Sequence, residues 1–130
     1  GIDTHRFREL SLMVAKASRR ELPSWKAVVG ARVFAHDSGL HADGVLKDPH
    51  NYEGFDPAEV GLVRQIVVGK HSGASGMIER YRSLGIVLSR DDAGLLLPVV
   101  RHEALRRKRD LNDRELVNIY LNGAELLKAA

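Results

Sequence analysis

Cysteine is absent from the chain. That removes a disulfide framework and a thiolate zinc site, and it suits a reducing cytoplasm. Nowhere do 18 apolar residues run together, so no segment reads as a membrane-spanning helix. Aromatic residues make up only 5% of the chain. None of them interleaves with the cationic run Arg106-Arg107-Lys108-Arg109, so a stacking platform for single-stranded nucleic acid is not indicated. The formal charge is a mild +3, and that run falls at the end of a helical pattern, where cations complement the macrodipole. The expected partners therefore include neither nucleic acid nor membrane. No charged-then-apolar leader is visible. Gly1 opens directly onto what reads as a helix start, which gives the expectation of a piece cut from a longer polypeptide.

What the chain does have is a globular composition. Of its 130 residues 44% are hydrophobic, enough to bury one modest core or two small ones. Asp3 or Thr4 can cap a helix to about Ser18, with Phe7, Leu10, Val14 and Ala17 at helical spacing and Leu12 and Met13 widening the stripe. Glu21-Leu22-Pro23-Ser24 breaks it. Ala27-Val28-Val29-Gly30 and Val33-Phe34-Ala35 read as short extended pieces. Asp37 or Ser38 can cap a short helix to about Leu46. Asp56-Pro57-Ala58-Glu59 has the cap and N1 proline of a helix start, and Ile66-Val67-Val68 is one more apolar run.

Three helices should follow. Ser72 opens one with Met77, Ile78, Tyr81 and Leu84 inward and Gly85 as its stop. Ser89 opens a long one through Leu105, in which Pro98 removes a ladder bond and invites a kink. Asn112 caps a last one carrying Leu116, Ile119 and Tyr120 and closed by Asn122-Gly123. The expected fold is mainly α: a small helical region with irregular glycine-rich loops and no complete barrel. Residues 1–70 would form a linker subdomain with the loops and polar cluster, and residues 71–130 a small helical bundle. Neither part has the apolar area of a self-sufficient domain, so a face of the first helix should need a partner.

The chemistry concentrates between Phe34 and Gly73, where histidine, aspartate and a tyrosine lie among scattered glycines. Gly39 and Gly44 each cost a helix about 1 kcal/mol relative to alanine, so tight approach or function should hold them there. His36 and His41 are five apart and share no helical face, and a structural metal site needs more donors than lie together here; no metal ligand is assigned. His41 admits two readings, an imidazole poised as general acid or base and an ordinary hydrogen-bonded histidine. Tyr52, in Pro49-His50-Asn51-Tyr52-Glu53-Gly54, is either a donor to a developing oxyanion or an apolar plug. Gly69-Lys70-His71-Ser72-Gly73 leads into a helix N-terminus and could hold an anion, though it lacks P-loop spacing and capping by Ser72 accounts for much of it.

At these residues a family resemblance emerges. FAHDSGLHADGVLKDPHNYE, FDPAEVG and VVGKHSG resemble the region after the catalytic barrel in the homocitrate synthase and isopropylmalate synthase family, and GIDTHRFREL resembles the helix just beyond that barrel. The likeness spans the chain, and YEGFDPAEVG followed by RQIVVGKHSG is most similar to the nitrogen-fixation type of homocitrate synthase. The resemblance implies an acyltransferase that condenses acetyl-CoA with a 2-oxo acid, 2-oxoglutarate for homocitrate or 2-oxoisovalerate for isopropylmalate, and then hydrolyses the thioester. It implies catalytic roles for His41 and Tyr52, reaching over the barrel mouth of a neighbouring subunit in a homodimer. Ser38, Gly39, Asp43, Lys70, His71 and Ser72 would be substrate-binding or lid residues. It further implies no cofactor on this segment, a divalent metal on the barrel, and no turnover by the segment alone. A purely structural lid or dimerisation role is the alternative.

Overall fold

The computed structural model describes the backbone of residues 1–129 and the side chains of residues 1–123. Five helices carry the chain: α1 (Phe7–Ser18), α2 (Gly39–Lys47), α3 (Ala74–Ser83), α4 (Arg90–Arg107) and α5 (Asp113–Ala129). Two short strands, β1 (Ala35–His36) and β2 (Gln65–Ile66), form the one sheet among the described residues. The mainly α expectation holds, and no barrel is present among these elements. Among the described residues no helix is long and apolar enough to cross a membrane.

The chain forms two compact units, one made of residues 1–35 and 48–65, the other of residues 36–47 and 66–130. Residues 36–47 and 66–70, which the sequence groups with the loops, thus fold with the bundle. The reason lies in Ala42 and Val45, buried on one face of α2, and in a close packing of α2 on α3. A Cβ added at Gly76 of α3 would lie 3.1 Å from the Ala42 methyl.

The bundle unit has a continuous apolar core containing Val68, Met77, Tyr81, Leu96, Val100 and Leu116. Tyr81 is fully buried and donates its hydroxyl to the Leu116 carbonyl (2.8 Å); burial pushes its phenol up to about 12. Ser89 begins α4 with a capping box, its Oγ accepting from the Asp92 N–H while Asp92 accepts from the Ser89 N–H. Asn112 and Glu115 make the same reciprocal pair before α5 (3.0 and 2.9 Å). Pro98 sits inside α4, and the helix runs through it as one element.

Two sequence expectations fail here. Asn122-Gly123 does not stop α5, which continues through it to Ala129. Gly123 is buried, and a Cβ there would fall 2.6 Å from Leu96 Cδ2, so this glycine serves close packing against α4 rather than chain reversal. Ser72 does not cap α3 either. The N-cap is Gly73, with no side-chain hydrogen bond, because the Ser72 hydroxyl is engaged elsewhere.

In the other unit, Asp3 caps a 3-10 turn (Thr4–Arg6) that leads into α1. Thr4 Oγ1 donates to the Glu59 carbonyl (2.6 Å), and His5 Nδ1 lies 2.6 Å from the Ala58 carbonyl. Both acceptors belong to the 3-10 turn Pro57–Val60, which carries the expected N1 proline and a complete capping box but extends no further. Of the expected extended pieces, Ala27–Gly30 is turn and bend, and Val33-Phe34-Ala35 is turn up to Ala35, which opens β1; Val29 and Phe34 are buried, and Phe55 is edge-on to Phe34 at 5.6 Å. Val28 is held at φ 70°, a conformation that no strand contains. The apolar stripe of α1 stays open: Leu10 is 59% and Met13 61% exposed, and no residue of α1 is buried.

Two outcomes follow for stability. Gly61 (φ 72°) and Gly85 (φ 78°) share a left-handed backbone, but a Cβ at Gly61 would lie 2.4 Å from the His5 carbonyl oxygen while Gly85 faces open space. Gly85→Ala should cost about 1 kcal/mol and Gly61→Ala clearly more, about 2 kcal/mol or above, read from denaturant midpoints. Glu103, bonded by Arg106 and Arg107, and Glu115, bonded by Arg109 and the Asn112 N–H, are both lowered from 4.5 to about 2. Lowered carboxylates stabilise the fold fully above about pH 4.5 and lose that contribution as pH falls to 2. The melting temperature should drop across that window, and less so in Glu115→Gln.

Candidate functional site

The segment that begins α2 is anchored by backbone rather than by side chains. The Gly39 N–H donates to the His71 carbonyl (3.1 Å). A Cβ at Gly39 would sit 2.9 Å from both the Cα and the N of Gly73, and a Cβ at Gly73 would sit 3.0 Å from the Gly39 Cα. Two glycines facing one another are what permit this approach, since any side chain on either would force the two strands of chain apart. The helix penalty of Gly39 is therefore offset by a contact that alanine cannot make.

Ser72 holds the other side of the joint. Its side chain is buried, 2% exposed, and its Oγ accepts from the Gly69 N–H (2.8 Å) and donates to Asp37 Oδ1 (2.7 Å). One hydroxyl thus links the residues just before α2 to the turn before α3. The Ser72 carbonyl is gripped in turn from α4: Arg101 donates to it through Nε (2.9 Å) and an Nη nitrogen (2.7 Å). Among the residues expected at a site, Gly39, His71 and Ser72 are brought together here, and Ser38 follows Asp37 directly with its carbonyl accepting from the Ala42 N–H (2.8 Å).

His41 is the third residue of α2 and lies on its exposed side, next to Leu40, which is also exposed, while Ala42 and Val45 face inward. Asp43 is on the same helix and pairs with Lys47 (2.6 Å). The Lys47 bond, followed by one from Ser75, holds its carboxyl below the ordinary value, so Asp43 serves as a fixed anion that ties α2 to its neighbour. Lys70 is exposed and lines a hollow of about 390 Å³ with Asp37, Lys108, Arg109 and Asp110. No group of three or more His, Asp or Glu among the described residues is arranged to hold a metal ion.

Tyr52 belongs to the other unit, where it follows the 3-10 turn Pro49–Asn51 and is 44% exposed. It is not a buried plug. The adjacent Glu53 is the buried group: its side chain is 2% exposed and accepts from Arg64 Nε (2.9 Å) and an Nη nitrogen (2.5 Å). The hydrogen bond to Glu53 raises the Arg64 guanidinium further. This pair fixes the backbone beside Tyr52, and with Phe55, Pro49 and His50 it borders a hollow of about 160 Å³.

Arg101 and the Glu53–Arg64 pair were not foreseen. Arg101 reads as one more charge on a helix face, and only its long-range partner sets it apart. Glu53 carries a faint signal in its place between a tyrosine and a glycine, but a buried carboxylate needs a cation that lies eleven residues away.

The fold and the locked glycine joint define a small, mainly helical segment that presents polar side chains. Comparison with known proteins identifies its family. Residues 28–108 match the family model described as homocitrate synthase post-HMGL domain-like. The chain is 58% identical over 120 residues to 2-isopropylmalate synthase 2 of Caldanaerobacter subterraneus subsp. tengcongensis, an alignment covering 92% of this chain and 31% of that protein. It is 47% identical over 119 residues to homocitrate synthase 1 of Nostoc sp., covering 92% and 32%, and 43% identical over 114 residues to a putative (R)-citramalate synthase of Methanopyrus kandleri, covering 88% and 21%. The chain belongs to the homocitrate synthase and isopropylmalate synthase family and corresponds to its C-terminal region. It spans about a third or less of the length of these curated relatives.

One test addresses the Tyr52 segment. Glu53→Gln leaves Arg64 without its anion and should destabilise the fold by about 3 kcal/mol, whereas the double change Glu53→Gln with Arg64→Met should cost less. Urea unfolding of the two variants checks the order.

Proposed function

We propose that this chain is the post-barrel segment of a cytoplasmic, homodimeric acyltransferase that joins acetyl-CoA to 2-oxoglutarate, giving homocitrate and CoA. In this reading the barrel grips the 2-oxo acid, and the present segment supplies a lid, dimer contacts, His41 and Tyr52 to the barrel of the neighbouring subunit. Removal of a methyl proton from the thioester needs a base near that carbon and a donor to the enolate oxygen. His41 takes or returns the proton, directly or through water, and Tyr52 donates a hydrogen bond to the developing oxyanion. The enolate carbon then bonds to the keto carbon as the keto C=O π bond opens to an alkoxide, which takes up a proton to become the hydroxyl. Water next attacks the thioester carbonyl, the C–S bond breaks, and CoA leaves as the thiol.

The observation that supports this reading most is the placement of His41, exposed on a short helix whose first residue is fixed by a backbone hydrogen bond and a glycine–glycine contact. An imidazole that merely completed a core would not need an outward face on so tightly held a helix. The exposed phenol of Tyr52 beside a buried ion pair has the same character. A second reading has its own support: the relative at 58% identity is named an isopropylmalate synthase, which favours 2-oxoisovalerate as the acceptor.

The test joins this segment to the catalytic barrel of its enzyme and measures CoA thiol release with a panel of 2-oxo acids. Preference for 2-oxoglutarate supports the homocitrate reading, including its nitrogen-fixation branch, and preference for 2-oxoisovalerate selects the other. His41→Ala should lower kcat by about 10²-fold or more, and Tyr52→Phe by about 10-fold to 10²-fold. Turnover unchanged in both variants would reduce the segment to a lid and dimer scaffold.

A further inference from the structure

We infer that Arg101 is a positioning residue for His41: from α4 it fixes the turn on which the first residue of α2 is seated. The inference rests on the reading of His41 as a catalytic group. The mechanical chain is short, and every link is a named hydrogen bond, a peptide bond or a backbone contact. The Arg101 guanidinium makes two hydrogen bonds to one acceptor, the Ser72 carbonyl, at 2.9 and 2.7 Å. A planar fork set on a single oxygen restrains direction as well as distance. The peptide group bearing that oxygen joins Ser72 to Gly73, and Gly73 is the residue whose backbone touches Gly39. On the preceding side, the His71 carbonyl accepts the Gly39 N–H (3.1 Å). Arg101 therefore acts on the peptide unit between the two contacts that seat α2, and His41 lies two residues beyond Gly39.

Around this peptide group the Ser72 N–H donates to the Gly69 carbonyl (3.3 Å) and the Gly73 carbonyl accepts from the Met77 N–H (3.1 Å), while the Ser72 carbonyl between them is held by Arg101. The Ser72 hydroxyl is spent on the Gly69 N–H and on Asp37, and α3 has no side-chain cap that would hold Gly73. Gly73 and Gly69 are themselves permissive residues, so the stiffness of this turn comes from its hydrogen bonds, that of Arg101 among them. An arginine placed only for stability has better acceptors available, as Arg106, Arg107 and Arg109 illustrate with their carboxylate partners. Arg101 instead meets a neutral carbonyl at the base of the His41 helix.

The experiment compares Arg101→Met, which keeps the stem and deletes the donors, with Arg101→Lys, which keeps one donor and the charge. Both are made in the full enzyme. Amide exchange should rise about tenfold at Gly39 and along α2 in Arg101→Met while α5 is unchanged. kcat should fall about 10-fold to 10²-fold with KM for acetyl-CoA and for the 2-oxo acid within about twofold, because a misplaced group slows chemistry without weakening binding. Arg101→Lys should recover part of both effects and guards against a variant that only fails to fold. Unchanged exchange in α2, or raised exchange with wild-type kcat, overturns the inference while leaving the role of His41 intact. Wild-type kcat in His41→Ala, or no CoA release by the unsubstituted enzyme with any 2-oxo acid, overturns the reading beneath it instead.

Discussion

The approach of Gly39 to Gly73 is the constraint on which the bundle unit depends. Bringing two backbones within contact requires that neither residue carry a side chain, and it allows a helix as short as α2 to be seated on a turn. A nine-residue helix has little stability of its own. Here it is held by Ala42 and Val45 buried beneath it, by its N–H bond to His71, and by the Ser72 hydroxyl acting on Asp37, two residues before it. These contacts are on its inward side, and Leu40 and His41 lie on the exposed one.

The two units reach order by different means. The bundle unit has a continuous core and fits its charges around the outside, where Glu103 and Glu115 gather arginines from α4 and the turn after it. The other unit has few buried apolar residues and relies on directed polar contacts: Thr4 and His5 on the Ala58–Glu59 carbonyls, Arg8 on the Val29 carbonyl, and Arg64 on Glu53. Geometry of that kind fixes a loop in one shape without much burial. It also explains why α1 shows an apolar face with no cover among the residues of its own unit.

Local signals made much of this fold legible. The capping boxes at Ser89–Asp92, Asn112–Glu115 and Asp56–Glu59 are encoded within four residues each, and all three form. Readings that needed a distant partner fared less well. Gly123 looks like a helix stop until Leu96 is placed against it, and Ser72 looks like a cap until Asp37 and Gly69 claim its hydroxyl. Val28 and Val29 carry strand propensity, but the chain turns there instead. In the candidate site, the glycines and histidines stand out in the sequence because their chemistry is local. The arginine that bears on them does not, because nothing about α4 announces which carbonyl it will meet.

The polypeptide passes between the two units at residues 35/36, 47/48 and 65/66, and this threading has a consequence for inheritance. Neither unit is a contiguous stretch that recombination could lift out by itself, since any excision of one would cut the other. A gene rearrangement that moves the histidine-bearing helix with the whole of its unit must carry the tyrosine-bearing loop with it, since residues 48–65 lie between the two parts of that unit. An exchange that keeps both units whole therefore swaps the pair together.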